Sequence, residues 1–120
     1  LNMSQKNLEQ IRATNALGPA KDLDRSAINK LPAMIINNGL LATAAFCNAE
    51  GGGDNRRDMK CALDATAKHL ESRQIISAQI QDSERMMHDL AKKSSHYLQR
   101  ATTESLAFIA YLKRFASKKD

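Results

Sequence analysis

The chain has 120 residues, with 18 Lys plus Arg against 13 Asp plus Glu, a formal net charge of +5 at pH 7. That length supplies one hydrophobic core, and 18 Ala and 13 Leu against no Val, no Trp and 5 Thr argue for helices over a sheet, which draws on β-branched and aromatic residues. The longest apolar run, Leu106 to Leu112, is far short of the ~20 residues that cross a bilayer, and the first six residues hold no apolar stretch of a secretory signal.

A first helix is expected from Ser4 to Leu17, with Ser4 as its cap and Gly18-Pro19 as its stop. The next opens after Asp22 or Asp24 and runs through Ile28 and Leu31. At Pro32 either this helix kinks or another begins. From Pro32 to Phe46 the apolar positions keep a helical rhythm, and Gly39 within it is a close-packing point or a break between helices. Residues 50–53 read as a flexible glycine-rich loop, after which Asp54 can cap a helix whose Met59, Leu63, Thr66 and Leu70 share one face.

Residues 74–81 are ambiguous between a short turn and a helix, with Ile75, Ile76 and Ile80 covering the core. A long helix capped by Asp82 or Ser83 is then expected to carry Met87, Leu90, Ala91, Ser94, Tyr97 and Ala101 on one side. Thr102 or Thr103 would start the last helix, apolar almost all round from Leu106 to Leu112 and therefore central to the bundle. The fold expected is all-α, a compact single-domain bundle of about five to six helices over residues 1–120.

Little in the chain reads as catalytic. His88 and His96 lie ~12 Å apart along one expected helix, too far to share a metal, and no His-x₃-His or Cys-x₂-Cys spacing occurs, so no metal and no cofactor is expected. The histidines are read as surface or packing groups. Ser94-Ser95-His96 lacks a carboxylate to orient the ring. The Gly51-Gly52-Gly53 stretch lacks the Gly-Lys-Ser/Thr ending of a phosphate loop. Cys47 and Cys61 read as buried, reduced packing residues of a cytosolic protein.

Charge is the more informative signal. Residues 1–85 hold 11 basic and 10 acidic groups, residues 86–120 hold seven and three, so the excess is C-terminal. Lys93, His96 and Arg100 fall at i, i+3, i+7 of the expected helix with Lys92 beside them, and Lys113, Arg114, Lys118 and Lys119 follow. Clustered cations suit nucleic-acid phosphates, and with Tyr97 and Tyr111 packed, contact would be backbone-directed and salt-dependent. A solvated basic face that only keeps the chain soluble is the competing reading.

Two stretches carry a family resemblance. Leu31-Pro32-Ala33-Met34-Ile35-Ile36-Asn37-Asn38-Gly39-Leu40, followed by Ala45-Phe46, resembles the Leu-Pro-x-x-Ile-x-x-Asn-Gly-Leu signature of the small α-helical subunit of the Cmr complex, the type III-B CRISPR effector. Leu106 to Ala116 is similar to that family's C-terminal helix. The resemblance implies a non-catalytic subunit of a cytoplasmic, RNA-guided antiviral particle. Its partners would be the other Cmr subunits, including neighbouring copies of itself and the guide-RNA-bound backbone, and it would help to form the target-RNA groove. Leu31, Pro32, Ile35, Asn38, Gly39, Leu40 and Phe46 carry over as structural positions, and Lys113-Arg114 as a basic family position. Joined to the charge pattern, this makes Lys92, Lys93, Arg100, Lys113 and Arg114 the candidate RNA contacts. The alternative is a protein-binding helical adaptor without RNA contact, with Met86 and Met87 among its docking residues.

Overall fold

Helix ends form where some group can satisfy the orphan amides and carbonyls, so the caps set the architecture. The computed structural model of the chain describes residues 6–119. Among these the elements are α1 (Leu8–Ala20), α2 (Arg25–Ile28), α3 (Leu31–Asn38), α4 (Leu40–Asn48), α5 (Asp54–Ser72), α6 (Ser83–Lys92) and α7 (Ser95–Phe115). Six are helices of two turns or more and α2 is a single turn; the described residues form no strand, only a bridge between Asp24 and Ser117. The fold is the all-α bundle that the composition called for.

α1 opens on a capping box. The Asn7 side chain accepts from the Gln10 amide at 2.9 Å, and the Gln10 side chain accepts from the Asn7 amide at 3.0 Å. The expected cap, Ser4, lies outside the described residues. At its other end α1 continues through Gly18 and Pro19 to Ala20 instead of stopping at Gly18. Pro19 is tolerated because it sits in the last turn, where its fixed φ is helical and a single backbone bond is lost.

Asp24, the second of the two expected caps, accepts from the Ser26 amide at 3.1 Å to open α2. Pro32 falls in the first turn of α3, so a new helix begins there and no kink forms. Gly39 is the break between α3 and α4, with φ +96°; a Cβ there would meet nothing within 4 Å, so the backbone angle and not close packing demands glycine. Asp54 is inside the first turn of α5 rather than at its cap, which is Gly53, and its carboxylate pairs with Arg57 at 2.6 Å. Residues 73–82 form no helix, yet Ile75 and Ile76 are buried there.

The largest departure from expectation concerns the C-terminal third. α6 ends at Lys92, the backbone is extended at Lys93 and Ser94, and α7 then runs unbroken to Phe115, with no restart at Thr102 or Thr103. The Thr102 hydroxyl donates back to the Leu98 carbonyl one turn earlier at 2.7 Å instead of capping a new helix. The break lets two apolar faces find different partners: α6 packs on α4 and α5, while α7 packs chiefly on α1 and also on α5 and α3. Phe108, Ile109 and Leu112 of α7 are fully buried, as its apolar run requires. Cys47 is buried, whereas Cys61 is exposed on α5, contrary to the reading of both as packing residues. Burial pushes the Cys47 thiol up to about 11.

One acid interrupts the buried surface of α7. Glu104 accepts from the Arg12 guanidinium of α1 through both oxygens at 2.8 Å, and its Oε2 lies 2.8 Å from Nε2 of His69 on α5. A carboxylate only accepts, so Nε2 carries the ring proton and Nδ1 accepts from the Asn15 amide at 2.9 Å. The imidazole stacks on Phe108 with centroids 4.3 Å apart. Burial lowers the His69 pKa, outweighing the pull of Glu104, so the ring is neutral at pH 7. Burial would raise Glu104, but the bonds from Arg12 and His69 outweigh it and bring its pKa down from 4.5 to about 2.

Both shifts make acid destabilising. A group whose folded pKa is depressed contributes stability above its unfolded pKa and loses it as pH falls through the folded value. Stability should therefore decline first below about pH 6.5, as the unfolded chain charges His69, and again between pH 4.5 and about 2, as Glu104 is protonated. Glu104→Gln should cost about 3 kcal/mol at pH 7 and make the lower limb shallower in urea titrations run from pH 2 to 8. A variant with the parent's acid limb would contradict the assignment.

Candidate nucleic-acid interface

The break at Lys93-Ser94 divides the expected cationic stripe. Lys92 is exposed in the last turn of α6. Lys93 is the C-cap residue of α6, and its ammonium is spent locally, 3.0 Å from Asp89 and 5.1 Å from the Tyr97 ring centroid. Asp89 is held in turn by the Ser77 amide and hydroxyl at 3.1 and 2.8 Å. Burial raises its carboxyl, but these bonds and Lys93 outweigh it, so its pKa is lowered. Tyr97, expected to be packed, is 42% exposed.

Arg100 borders a cleft of about 430 Å³ between α7 and the loop after α5. Arg73, His96, Gln99 and Thr103 line it with Arg100, and Glu104 lies beneath them with both oxygens already engaged by Arg12 and His69. Arg73 was not singled out by the sequence, since a lone arginine after a helix carries no signal there; its Nε is buried without a partner in this cleft. Glu104, equally missed, did leave a trace, as the one acid in the otherwise uncharged stretch from Ala101 to Leu112.

Lys113 and Arg114 lie in the last turn of α7, about 20 Å along the axis from Arg100. At about 100° per residue Arg114 comes within about 40° of the direction of Arg100, whereas Lys113 turns about 140° away. Lys113 and Arg114 border a second concavity with Arg25. Arg25 is itself committed, donating to the carbonyls of Lys113 and Ala116 at 3.1 and 2.9 Å and so closing the C-terminus of α7.

The outer face of α7 is therefore a continuous strip. His96, Arg100, Thr103, Ala107, Ala110 and Arg114 follow one another at helical spacing, exposed except for the half-buried Ala107. The strip is cationic at both ends and small and uncharged between them, and Glu9 of α1 borders it at Ala110 and Arg114. The signature residues lie elsewhere. Leu31, Ile35 and Leu40 are in the core, Pro32 lies in the first turn of α3, and Asn38-Gly39 forms the α3/α4 joint. Phe46 is 44% exposed with the Arg56 guanidinium 4.4 Å above its ring. Met86, one of the docking residues of the adaptor reading, is fully buried.

A family model described as CRISPR-associated protein (Cas_Cmr5) matches residues 2–118. The chain belongs to this Cas_Cmr5 family. The match takes in both stretches that carried the resemblance and makes the chain a CRISPR-associated protein of a Cmr complex with other subunits. No curated protein and no solved structure matches it. Among the described residues of this Cas_Cmr5 chain, no helix is long and apolar enough to cross a membrane, and no three His, Cys, Asp or Glu side chains cluster as metal ligands would.

Charge availability on this surface can be read from a polyanion column. On immobilised heparin, Arg100→Ala and Arg114→Ala should each elute at lower salt than the parent, because both residues are exposed and neither forms an ion pair among the described residues. The double change Lys93→Ala/Asp89→Ala, which removes a locally balanced pair without altering net charge, should elute close to the parent. Equal displacement of all three would contradict the division drawn here.

Proposed function

We propose that this Cas_Cmr5 protein is the non-catalytic small subunit of a type III-B Cmr effector, and that the outer strip of α7 lies along the target-RNA groove and contacts backbone phosphates. The observation that carries this reading is the strip itself: Arg100 and Arg114 face the same way about 20 Å apart, with only Thr103, Ala107 and Ala110 between them on the helix, and one exposed acid, Glu9 of α1, bordering the Arg114 end. Small side chains let a sugar-phosphate backbone approach the helix, and guanidiniums at the two ends supply charge and paired donors.

The chemistry is positional. Arg100, with Arg73 and His96 beside it, would hold one phosphate in the 430 Å³ cleft, and Arg114 with Lys113 another at the far end of the helix. Lys92 would add a longer-range cation at the α6/α7 joint, and Lys93 contributes less because Asp89 already balances it. Recognition would rest on backbone phosphates and be independent of sequence, as suits a particle whose specificity resides in a guide RNA. Copies of the subunit would stack along the guide-bound backbone to extend the strip, in a cytoplasmic particle serving antiviral defence.

The test uses the assembled complex. Replacing Arg100 and Arg114 by alanine should weaken target-RNA binding, and the log–log salt slope should fall by about 1.4, that is about 0.7 for each single-strand phosphate contact removed. Adding Lys92→Ala, Lys93→Ala and Lys113→Ala should lower it further. An unchanged affinity and slope, with the variant subunit still incorporated, would reject the strip as an RNA surface and favour the adaptor reading.

A further inference from the structure

A second feature lies away from α7. Between α2, α3, α4 and α5 there is a cavity of about 290 Å³ whose apolar lining comes from Ala27, Met34, Phe46 and Met59, and which Lys30 and Arg56 also line. Phe46 is one of the few large apolar side chains left exposed. A volume this small falls just under the range of cofactor sites, ~300 Å³ and above, and suits one bulky side chain. Two thioethers make its walls adaptable to an anchor's shape.

Its electrostatics are one-sided. Neither Lys30 nor Arg56 is paired with a carboxylate among the described residues, and no acid lines the cavity. Arg56 is also held in place. Its guanidinium lies 4.4 Å over the Phe46 ring, and its stem runs so close to Gly52 that a Cβ there would overlap Cδ. Gly52 thus has a role within the glycine loop: it leaves room for the arginine that lies on the aromatic.

We propose that this pocket docks an acidic segment of a partner protein, inserting an aromatic or large aliphatic anchor against Met34, Phe46 and Met59 while flanking carboxylates meet Lys30 and Arg56. The charge complementarity decides for an acidic peptide. Nucleic acid is the weaker fit, because Arg56 already covers one face of the single aromatic in the lining, the ring a base would need for stacking; Asn55 is the one neutral polar side chain there. An unpaired, stacked guanidinium beside an aromatic and an empty apolar pocket has the composition of an interface hot spot. No residue of the α7 strip lines this pocket, so the two proposals fail separately.

The absence of Trp gives a direct probe. A peptide with one Trp flanked on both sides by Asp and Glu should bind saturably with a blue shift of its emission, whereas the same peptide flanked by Lys should not. Phe46→Ala and Arg56→Glu should each weaken binding at least about tenfold, and so should Gly52→Ala, which displaces Arg56 while leaving Met34, Phe46 and Met59 unchanged. Circular dichroism and thermal midpoints identify any variant that fails to fold, and Gly52→Ala, in a loop, keeps the test open if Phe46→Ala does. In the assembled complex Arg56→Glu should lower retention of the subunit while leaving the RNA salt slope unchanged. The proposal is overturned by absence of saturable binding, by equal affinity for the Lys-flanked peptide, or by retention that Arg56→Glu does not alter. Displacement of the peptide by an oligoribonucleotide, or self-association abolished by Phe46→Ala, would assign the pocket to RNA or to a second copy and overturn it equally.

Discussion

A carboxylate cannot enter an apolar interface without its charge being met, and Glu104 imposes that condition on the whole bundle. Meeting it requires Arg12 from α1 and His69 from α5 at the same point of α7, so three helices are fixed in register by one side chain. His69 in turn needs Asn15 for its second nitrogen and Phe108 for its ring face. The cluster also fixes the rotation of α7 about its own axis. With Glu104 directed at α1 and α5, and Phe108, Ile109 and Leu112 inward, the line from His96 through Arg100 to Arg114 has only the outside left to face.

The same cluster shapes the electrostatics of the surface. Glu104 floors the cleft that Arg73, His96 and Arg100 line, and a free carboxylate there would repel a phosphate. Both of its oxygens are engaged internally, which leaves the cleft's cations uncompensated. Elsewhere the opposite occurs: Lys93 is balanced by Asp89, and Arg25 closes a helix end. Net charge is therefore a poor guide to what a ligand meets, because the fold spends some cations on itself and leaves others free. Family membership makes the chain one subunit of a Cmr complex, and this distribution determines which of its cations are open to a neighbour.

Much of the architecture is legible in the sequence because it rests on local rules. The helical class follows from the alanines and leucines, the α2/α3 joint from Pro32, the α3/α4 joint from Gly39, and the buried face of α5 from the spacing of Met59, Leu63, Thr66 and Leu70. The α6/α7 break was misplaced because Thr102 and Thr103 are plausible caps locally. What decides is tertiary, since the apolar faces around Leu90 and Ala101 must reach different neighbours. Pro19 misled in the same way, a stop signal that a last turn can absorb. The signature from Leu31 to Phe46 was enough to indicate the family.

The candidate surface was legible only in part, for a related reason. A count of charges along the chain found Arg100, Lys113 and Arg114, but the partners of Lys93 and Arg25 lie on other turns and other elements. Arg73 joins Arg100 only through the fold. Glu104 stood out as an acid in an apolar stretch, and nothing local in the sequence named Arg12, 92 residues away, as its partner.

A double-mutant cycle between Arg12→Met and Glu104→Gln, read from urea unfolding at pH 7, tests the central dependence most directly. The structure predicts strong coupling, with the two changes together costing at least about 1.5 kcal/mol less than the sum of the single costs, since either one already breaks the ion pair. Costs that add to within about 0.5 kcal/mol would contradict it, and the fold would then be held by its apolar faces alone.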